Sequence, residues 1–352
     1  MRRAMDGGRL AELLMLAVPI LRQAEQRCVR EGPGRRPDYS DWQISALIAV
    51  AVAKRRKTKS AQYRFLVEHR LQLMDVLGLE SFPARSTYFE RYHDAWRLFQ
   101  HAIAIQGDLL TRRWADPCTV AVDKSLVFAL GPPWHKRERR FDRARPGVDR
   151  GADWGFSEHH GWVYGYSFEV VVTAPAHGPV VPLQASVGPA SASEHRTFGD
   201  KIPRLPRRTR HVLADRAYDN NRYGESIEYS EGRPTGRHFV CIARRPARTP
   251  RGPCSTDRHR IRRVLKAHRA KRQIFCHSRT GQRLRRRRGR TVEPFMDWFK
   301  GRFELHDRAW HRGLSNNATQ ILGAMFVYQL LLRYNRRTGA KNTQIQWILD
   351  AL

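Results

Sequence analysis

The first third of the chain has the hydrophobic periodicity of α-helices. Apolar residues recur every three or four positions in four segments, at 10–21, 41–51, 60–78 and 87–112. Ser40 and Asp41 begin the second of these segments, and both are residue types that often begin helices. Residues 1–115 are therefore predicted to form an all-helical N-terminal domain. It is expected to fold alone, because no strand pairing would cross into it.

Two interpretations of this helical domain remain open. One is an ordinary helical bundle with a solvated basic surface. The other is a DNA-binding helix-turn-helix element, in which Ser86-Thr87 caps a helix that presents Tyr88, Arg91 and Tyr92 to the duplex. In the second interpretation Arg91 contacts bases and contributes sequence preference.

From residue 118 onward the pattern changes to that of β-strands. Residues 164–172 alternate apolar side chains with Gly165, Ser167 and Glu169, which is typical of a strand with one face in the core. Four other short apolar runs are predicted strands, at 119–123, 180–187, 211–215 and 238–243. Residues 134–154 are rich in Arg, Asp, Gly and Pro and are predicted to form a long mobile loop. With helices expected at 194–203, 220–230, 292–299 and 316–334, the pattern predicts an α/β class protein.

The charge balance indicates the class of partner. The chain of 352 residues has 65 Lys and Arg against 33 Asp and Glu, a formal net charge of +32. Such an excess repels itself unless a polyanion neutralises it, so nucleic acid is the leading partner and an acidic membrane surface a distant second. The 41% of hydrophobic residues excludes a disordered basic tail and gives enough core for two domains.

More than half of the excess charge lies in one segment. Residues 244–290 contain 19 Lys or Arg and one acid, Asp257. Such a run is often only solvated, but here it lies between a predicted strand and an apolar helix. We therefore predict a basic insertion that binds the phosphate backbone, with an affinity that falls steeply as salt rises.

The cysteines and the longest apolar run bear on the cellular compartment. The five cysteines are odd in number and scattered, which favours a reducing compartment over a disulfide framework. The longest apolar run, 321–332, is shorter than the ~20 residues that span a bilayer. A cytoplasmic protein without a membrane partner is expected. Zinc binding within the basic insertion stays a minor alternative, through Cys254, His259, Cys276 and His277.

Three acids are the candidate catalytic residues. Asp123 ends the first predicted strand, Asp215 ends the fourth, and Glu293 opens the helix after the basic insertion. Each alone has an ordinary explanation, since Asp is common in turns and Glu is favourable in the first turn of a helix. Together, two carboxylates at one sheet edge and a third from a helix packed across it would form a hard-oxygen site for Mg²⁺ or Mn²⁺.

These residues and their surroundings resemble the DDE transposases of bacterial insertion sequences. The matching segments are Ala121-Val-Asp123-Lys-Ser, Val212-Leu-Ala-Asp215-Arg-Ala-Tyr218-Asp and Arg290-Thr-Val-Glu293-Pro-Phe-Met-Asp-Trp-Phe-Lys300. The 165–168 strand is also similar to the second strand of that family. One departure is that Gly289 and Arg286 stand where a subset of the family has arginine and tyrosine.

The resemblance implies a ribonuclease H-like catalytic domain at 116–352, with a mixed five-stranded sheet flanked by helices and the basic insertion at 244–290. It implies two Mg²⁺ or Mn²⁺ ions held by Asp123, Asp215 and Glu293, with Asp123 bridging them. Lys300 would hold a DNA phosphate, and Trp298 would stack on an unpaired base or belong to the core. The expected contacts to the DNA backbone come from the arginines of the basic insertion, Arg285, Arg286, Arg287, Arg288 and Arg290.

The sequence therefore predicts a bacterial, nucleoid-associated transposase that cuts the ends of its element and joins them to target DNA. Its partners would be the terminal inverted repeats, the target duplex and a second copy of the chain on paired ends. Two rival hypotheses are an inactive, transposase-derived DNA-binding protein and a related metal-dependent nuclease without strand transfer.

Overall fold

The N-terminal part of the chain is helical, as predicted. The computed structural model describes residues 2–28, 37–243, 257–306, 308–339 and 345–352. The described helices before the sheet are α1 (Arg2–Glu25), α2 (Asp41–Ala53), α3 (Lys59–Glu68), α4 (Arg70–Leu77), α5 (Arg85–Tyr92) and α6 (Ala95–Arg113). The predicted segments 60–78 and 87–112 are each divided between two helices, so local periodicity located the helical regions better than their breaks.

The remaining elements form a sheet with helices around it. The strands are β1 (Thr119–Phe128), β2 (Asp153–Ser157), β3 (Gly161–Thr173), β4 (Pro182–Pro189), β5 (His211–Leu213), β6 (Tyr229–Ser230), β7 (Arg233–Pro234) and β8 (His238–Val240). The helices are α7 (Lys136–Arg140), α8 (Glu194–Thr197), α9 (Asn221–Glu228), α10 (Asp257–His277), α11 (Arg279–Arg302), α12 (Leu314–Arg337) and α13 (Gln346–Asp350). Two short 3₁₀ helices are Gly199–Arg204 and Arg216–Tyr218.

The main sheet has the order β2-β3-β1-β5-β8, with β4 also paired to β3. β2 pairs with 161–165 and β4 with 166–172, so the two share one edge of β3 and occupy a single strand position. β3 is antiparallel to β1, whereas β5 and β8 run parallel to it. A mixed sheet of five strand positions flanked by helices agrees with the predicted ribonuclease H-like fold.

Three local predictions for the sheet were wrong. β1 continues to Phe128, so Asp123 lies within the strand and does not end it. The predicted loop 134–154 contains α7 and the start of β2. Glu169 was expected on a solvated face of β3, but it is 3% exposed because this strand is covered on both faces.

The helical part packs directly on the sheet part. α12 lies against α1, α2 and α6 and also against β4, and its buried Gln329 donates to the carbonyls of Ile103 (2.9 Å) and Pro182 (2.7 Å). Gly323 faces the ring of Phe99, where a Cβ would lie 3.4 Å from the nearest ring carbon. The hydrophobic cores of the two parts are therefore continuous, and the division near residue 115 separates two classes of secondary structure.

The prediction that α5 presents Tyr88 and Tyr92 to DNA is wrong. Tyr88 and Tyr92 are fully buried, and Tyr88 donates to Gln62 over 2.9 Å. Arg91 forms an ion pair with Asp41 at the start of α2. The helix begins at Arg85, before the Ser86-Thr87 pair that was expected to cap it. Tyr88 and Tyr92 therefore stabilise the bundle and are not accessible to DNA, and base contact by Arg91 stays a prediction.

The basic segment also differs from the prediction. Residues 244–256, including Cys254, lie outside the described residues, and the remainder forms α10 and the first half of α11. Glu293 consequently lies inside a continuous helix and does not open one. None of the described helices is long and apolar enough to cross a membrane.

Candidate active site

Parallel pairing of β1 and β5 brings the first two candidate acids together. Ala121 is in register with Leu213, the last residue of β5, and Asp123 and Asp215 each follow this pair by two residues. Adjacent strands lie ~4.8 Å apart, so the two backbones are close at this point. The sheet therefore juxtaposes two acids that are 92 positions apart in the sequence.

The turn after β5 holds Asp215 in place. Its side chain accepts a hydrogen bond from the backbone N–H of Ala217 over 2.7 Å, which caps the 3₁₀ helix that follows. Its carbonyl accepts from the Cys241 thiol over 3.0 Å. Three residues on, Tyr218 is buried and donates to Glu169 of β3 over 3.0 Å. The Leu-Ala-Asp-x-x-Tyr motif thus supplies both a candidate ligand and the anchor of its turn.

Glu169 is part of a buried polar network that the sequence did not reveal. Its carboxylate accepts from Lys201 (2.5 Å), Thr197 (2.7 Å) and Tyr218, and Lys201 also donates to Ser186 over 2.7 Å. The side chains of Glu169 and Lys201 are only 3% and 7% exposed. A charge pair this deeply buried stays favourable only while every partner is in place, so the network fixes the geometry around Asp215.

The third acid reaches the site from α11. Val292 and Phe299 of this helix are fully buried, and the Phe299 ring packs edge-on against Phe168 of β3 with 5.6 Å between ring centres. Phe168 projects from the same sheet face as Asp123, because cross-strand partners share a face and Asp123 is paired with Val170. Glu293 itself is 61% exposed. The packed side of α11 therefore sets Glu293 over the face that carries Asp123.

Arg288 connects two of the three acids. Its Nη2 forms an ion pair with Asp123 at 3.0 Å and its Nη1 donates to Glu293 over 3.2 Å, while its own side chain is only 15% exposed. Burial raises the pKa of Asp123 to about 6; the Arg288 cation opposes that shift, and the negative charges of Asp215 and Glu293 add to it. The charges of Asp215 and Glu293 therefore both act on the Asp123 carboxyl, which means that the three acids lie near one another.

The residues fit a divalent cation by their chemistry, although they are not yet arranged around one. Within the described ranges, no group of three or more His, Cys, Asp or Glu is spaced to hold a metal ion. Asp123 and Glu293 instead turn their oxygens to the guanidinium of Arg288. Carboxylate oxygens are the donors that Mg²⁺ and Mn²⁺ prefer, so the chemistry of these acids suits such an ion, and the Arg288 guanidinium is the cation that they hold in this structure.

The other predicted DNA contacts on α11 differ in exposure. Arg286 and Arg290 are exposed, whereas Arg285 and Arg287 are half-buried. Lys300 is 9% exposed, and burial lowers the pKa of its ammonium with Asp297 opposing the shift. The two exposed arginines are thus the most accessible of these side chains to a DNA backbone.

Trp298 packs as a core residue does. Its ring lies edge-on to Tyr328 of α12, with 5.3 Å between ring centres, and it is only partly exposed. The packing favours the core alternative that was open for this residue. Base stacking by Trp298 stays a prediction.

The remaining alternatives receive no support from the geometry. Cys276 is fully buried, with its thiol 3.5 Å from the carbonyl of Cys241, and takes part in no metal-binding cluster within the described ranges. Two other acids lie within the family-like segments, Asp219 next to Tyr218 and Asp297 next to Trp298. Asp219 is instead bound to Arg269 of α10 over 2.5 Å, and Asp297 is 83% exposed and close to His306.

Comparison with known proteins agrees with this geometry. The sequence model of the family described as "Transposase DDE domain" matches residues 114–330, which include Asp123, Asp215 and Glu293. A search of curated proteins found no match.

Proposed function

Because this chain belongs to the transposase DDE domain family, we propose that it cuts the ends of a DNA element and joins them to target DNA. The observation that carries the proposal is the grouping of three acids. Asp123 lies beside the Asp215 turn in the parallel register of β1 and β5, and Glu293 shares the Arg288 cation with Asp123.

In this proposal the acids hold two divalent ions, Mg²⁺ or Mn²⁺. Asp123 would serve as a ligand for both ions, and Asp215 and Glu293 would each serve as a ligand for one. When bound, the ions would activate the attacking hydroxyl and stabilise the charge that develops on the leaving oxygen. The protein's own contribution is rigidity: the Ala217 amide orients Asp215, and the packed face of α11 orients Glu293.

Arg288 has two successive partners in this scheme. Before ions bind, its cation offsets the repulsion between Asp123 and Glu293. With the acids occupied by ions, the guanidinium would be free of them and could donate to a DNA phosphate. This reconciles its predicted role as a phosphate ligand with its contacts to the two acids.

The proposed partners are duplex DNA, as terminal inverted repeats and target, and a second copy of the chain on paired ends. The net charge of +32 supports a polyanionic partner. The exposed Arg286 and Arg290 stand on the same helix as Glu293, so a duplex bound to them passes close to the acids. These contacts would position DNA without reading its bases.

The test is cleavage of a labelled duplex that carries the DNA bordering the coding sequence, with Mg²⁺ or Mn²⁺, followed by joining to a plasmid. Asp123→Asn, Asp215→Asn and Glu293→Gln should each abolish both steps while leaving gel retardation nearly unchanged, because the exposed arginines are intact. Asp297→Asn is the matched control on α11, since that carboxylate is exposed and outside the group. Binding without cleavage by the unaltered protein would favour an inactive relative, and cleavage without joining would favour a nuclease.

A further inference from the structure

Three large aromatic rings are exposed on the β2–β3 hairpin and on the segment that follows α7. Phe141, Phe156 and Trp162 are 61%, 62% and 66% exposed, and we call them the aromatic edge. Phe156 and Trp162 are cross-strand partners on β2 and β3, with their rings edge to face at 5.6 Å between centres. Apolar rings so accessible on neighbouring strands are typical of a surface that binds a partner.

The third ring, Phe141, follows a helix that is fixed to the same hairpin. Arg139 of α7 donates to Asp153 at the start of β2 over 2.6 Å and lies over the ring of Tyr164 on β3. Phe141 follows directly after α7. The packing of Arg139 thus places Phe141 beside the β2–β3 hairpin.

The surroundings of Phe141 are strongly basic. The guanidinium carbons of Arg140 and Arg143 lie 6.0 and 5.8 Å from the centre of the Phe141 ring, and both side chains are exposed. Neither forms an ion pair with a carboxylate in the described part of the chain. Cations interleaved with exposed rings suit a strand whose phosphates and bases are both accessible.

The two strand residues of the aromatic edge, Phe156 and Trp162, lie on the same face of the sheet as Asp123. Trp162 is eight residues along β3 from Val170, the partner of Asp123, and an even number of residues keeps it on the same face. Eight residues of strand correspond to ~26 Å. At the tip of the hairpin, His160 lies edge-on to Phe128, the last residue of the strand that carries Asp123, with 6.0 Å between ring centres.

We propose that the aromatic edge binds unpaired bases of a DNA strand whose backbone passes the acids. This inference rests on the proposed function and adds a second contact region to it. A duplex hides the faces of its bases in the stack, whereas an unpaired strand offers them to exposed rings. A second copy of this chain is a poorer occupant, because it would bring the arginines around Phe141 against another strongly basic surface.

The test compares affinity for two DNA probes by fluorescence anisotropy, without metal so that no cleavage occurs. One probe is a blunt duplex, and the other is the same duplex with a ten-thymidine single-stranded tail. The unaltered protein should bind the tailed duplex more tightly. A double variant, Phe156→Ala with Trp162→Ala, should lose roughly tenfold affinity for the tailed probe and little for the blunt one.

Two controls separate stacking from other effects. Trp162→Phe should keep most of the preference for the tail, because it retains a ring. Leu71→Ala removes a side chain that is 76% exposed on α4 and should change neither affinity. Placing 2-aminopurine in the tail gives a second readout, since its fluorescence should fall on binding the unaltered protein and not on binding the double variant.

Equal tail preference in the unaltered protein and the double variant would overturn the inference. So would a change in oligomeric state of the double variant without a loss of tail affinity, which would make the aromatic edge an interface between copies. The outcome is separable from the proposed function. Tail binding that depends on these rings in a protein that never cleaves DNA would leave this inference standing and remove the catalytic proposal.

Discussion

Arg288 of α11 forms an ion pair with Asp123, with 3.0 Å between Nη2 and Oδ1, and the same helix carries Glu293. The contact brings a cation from a run of four arginines into the group of acids, whereas the run as a whole was predicted to bind phosphate. Arg286, two residues earlier on the helix, is exposed. One arginine run therefore supplies both a site residue and a surface residue.

Replacing Arg288 should strengthen metal binding in the absence of DNA. In Arg288→Gln the cation that competes for the acids is lost, and we expect Mn²⁺ to bind roughly tenfold more tightly, the equivalent of one charge-assisted hydrogen bond. Calorimetric titration of the protein with Mn²⁺ measures this change. Arg286→Gln removes the same charge from an exposed position and should leave the affinity nearly unaltered. Equal affinities in both variants would show that Arg288 does not compete with the ion.

The exposed arginines of α11 should dominate the salt dependence of DNA binding. Replacing Arg286 and Arg290 with alanine should reduce the slope of log affinity against log salt by ~0.9 for each phosphate that is no longer neutralised. The weakening should be similar for element ends and random duplexes, because binding to phosphates carries no sequence information. Arg91→Ala is the control, since Arg91 is bound to Asp41 and its replacement should not change the slope. A slope unaffected by the double replacement would place the DNA-binding surface elsewhere.

The network beneath Asp215 should matter for stability as well as activity. Glu169→Gln leaves the buried ammonium of Lys201 without its counterion and should lower the free energy of unfolding by about 3–5 kcal/mol. Tyr218→Phe removes one hydrogen bond to the same carboxylate and should cost about 1 kcal/mol. Urea unfolding gives both values. The double variant Glu169→Gln with Lys201→Met should recover part of the loss, and no recovery would argue against the pair as its cause.

A fragment that ends at residue 115 is not expected to fold cooperatively, although the helical pattern alone predicts that it would. Without α12, the faces of α2 and α6 that it covers would be exposed. Heat-capacity measurements should show no sharp unfolding transition for the fragment. In the full chain, Gln329→Leu should lower stability by about 1–3 kcal/mol, because the carbonyls of Ile103 and Pro182 lose their donor. A cooperative transition in the fragment would restore the predicted independent domain.

Local patterns in the sequence determined the classes of the elements and the position of the acids. Helical periodicity identified the N-terminal helices, and β-branched runs identified five of the strands in the main sheet. The Leu-Ala-Asp-x-x-Tyr motif and the Glu293–Lys300 spacing pointed to the family that the 114–330 match confirms. Strands and helices can be predicted in this way because the spacing of apolar residues depends on which side of an element is buried.

The tertiary structure alone decided which polar residues are enclosed and which charges meet. Tyr88 and Glu169 fit a solvated face by local pattern, yet both are buried because distant parts of the chain cover them. Arg288 looked like any member of a basic run until α11 packed against β1 and brought it to Asp123, 165 positions away. Such contacts depend on how whole elements pack against one another. The charge or polarity of a side chain determines which kinds of group it can pair with, but the tertiary structure determines which of those groups lies next to it.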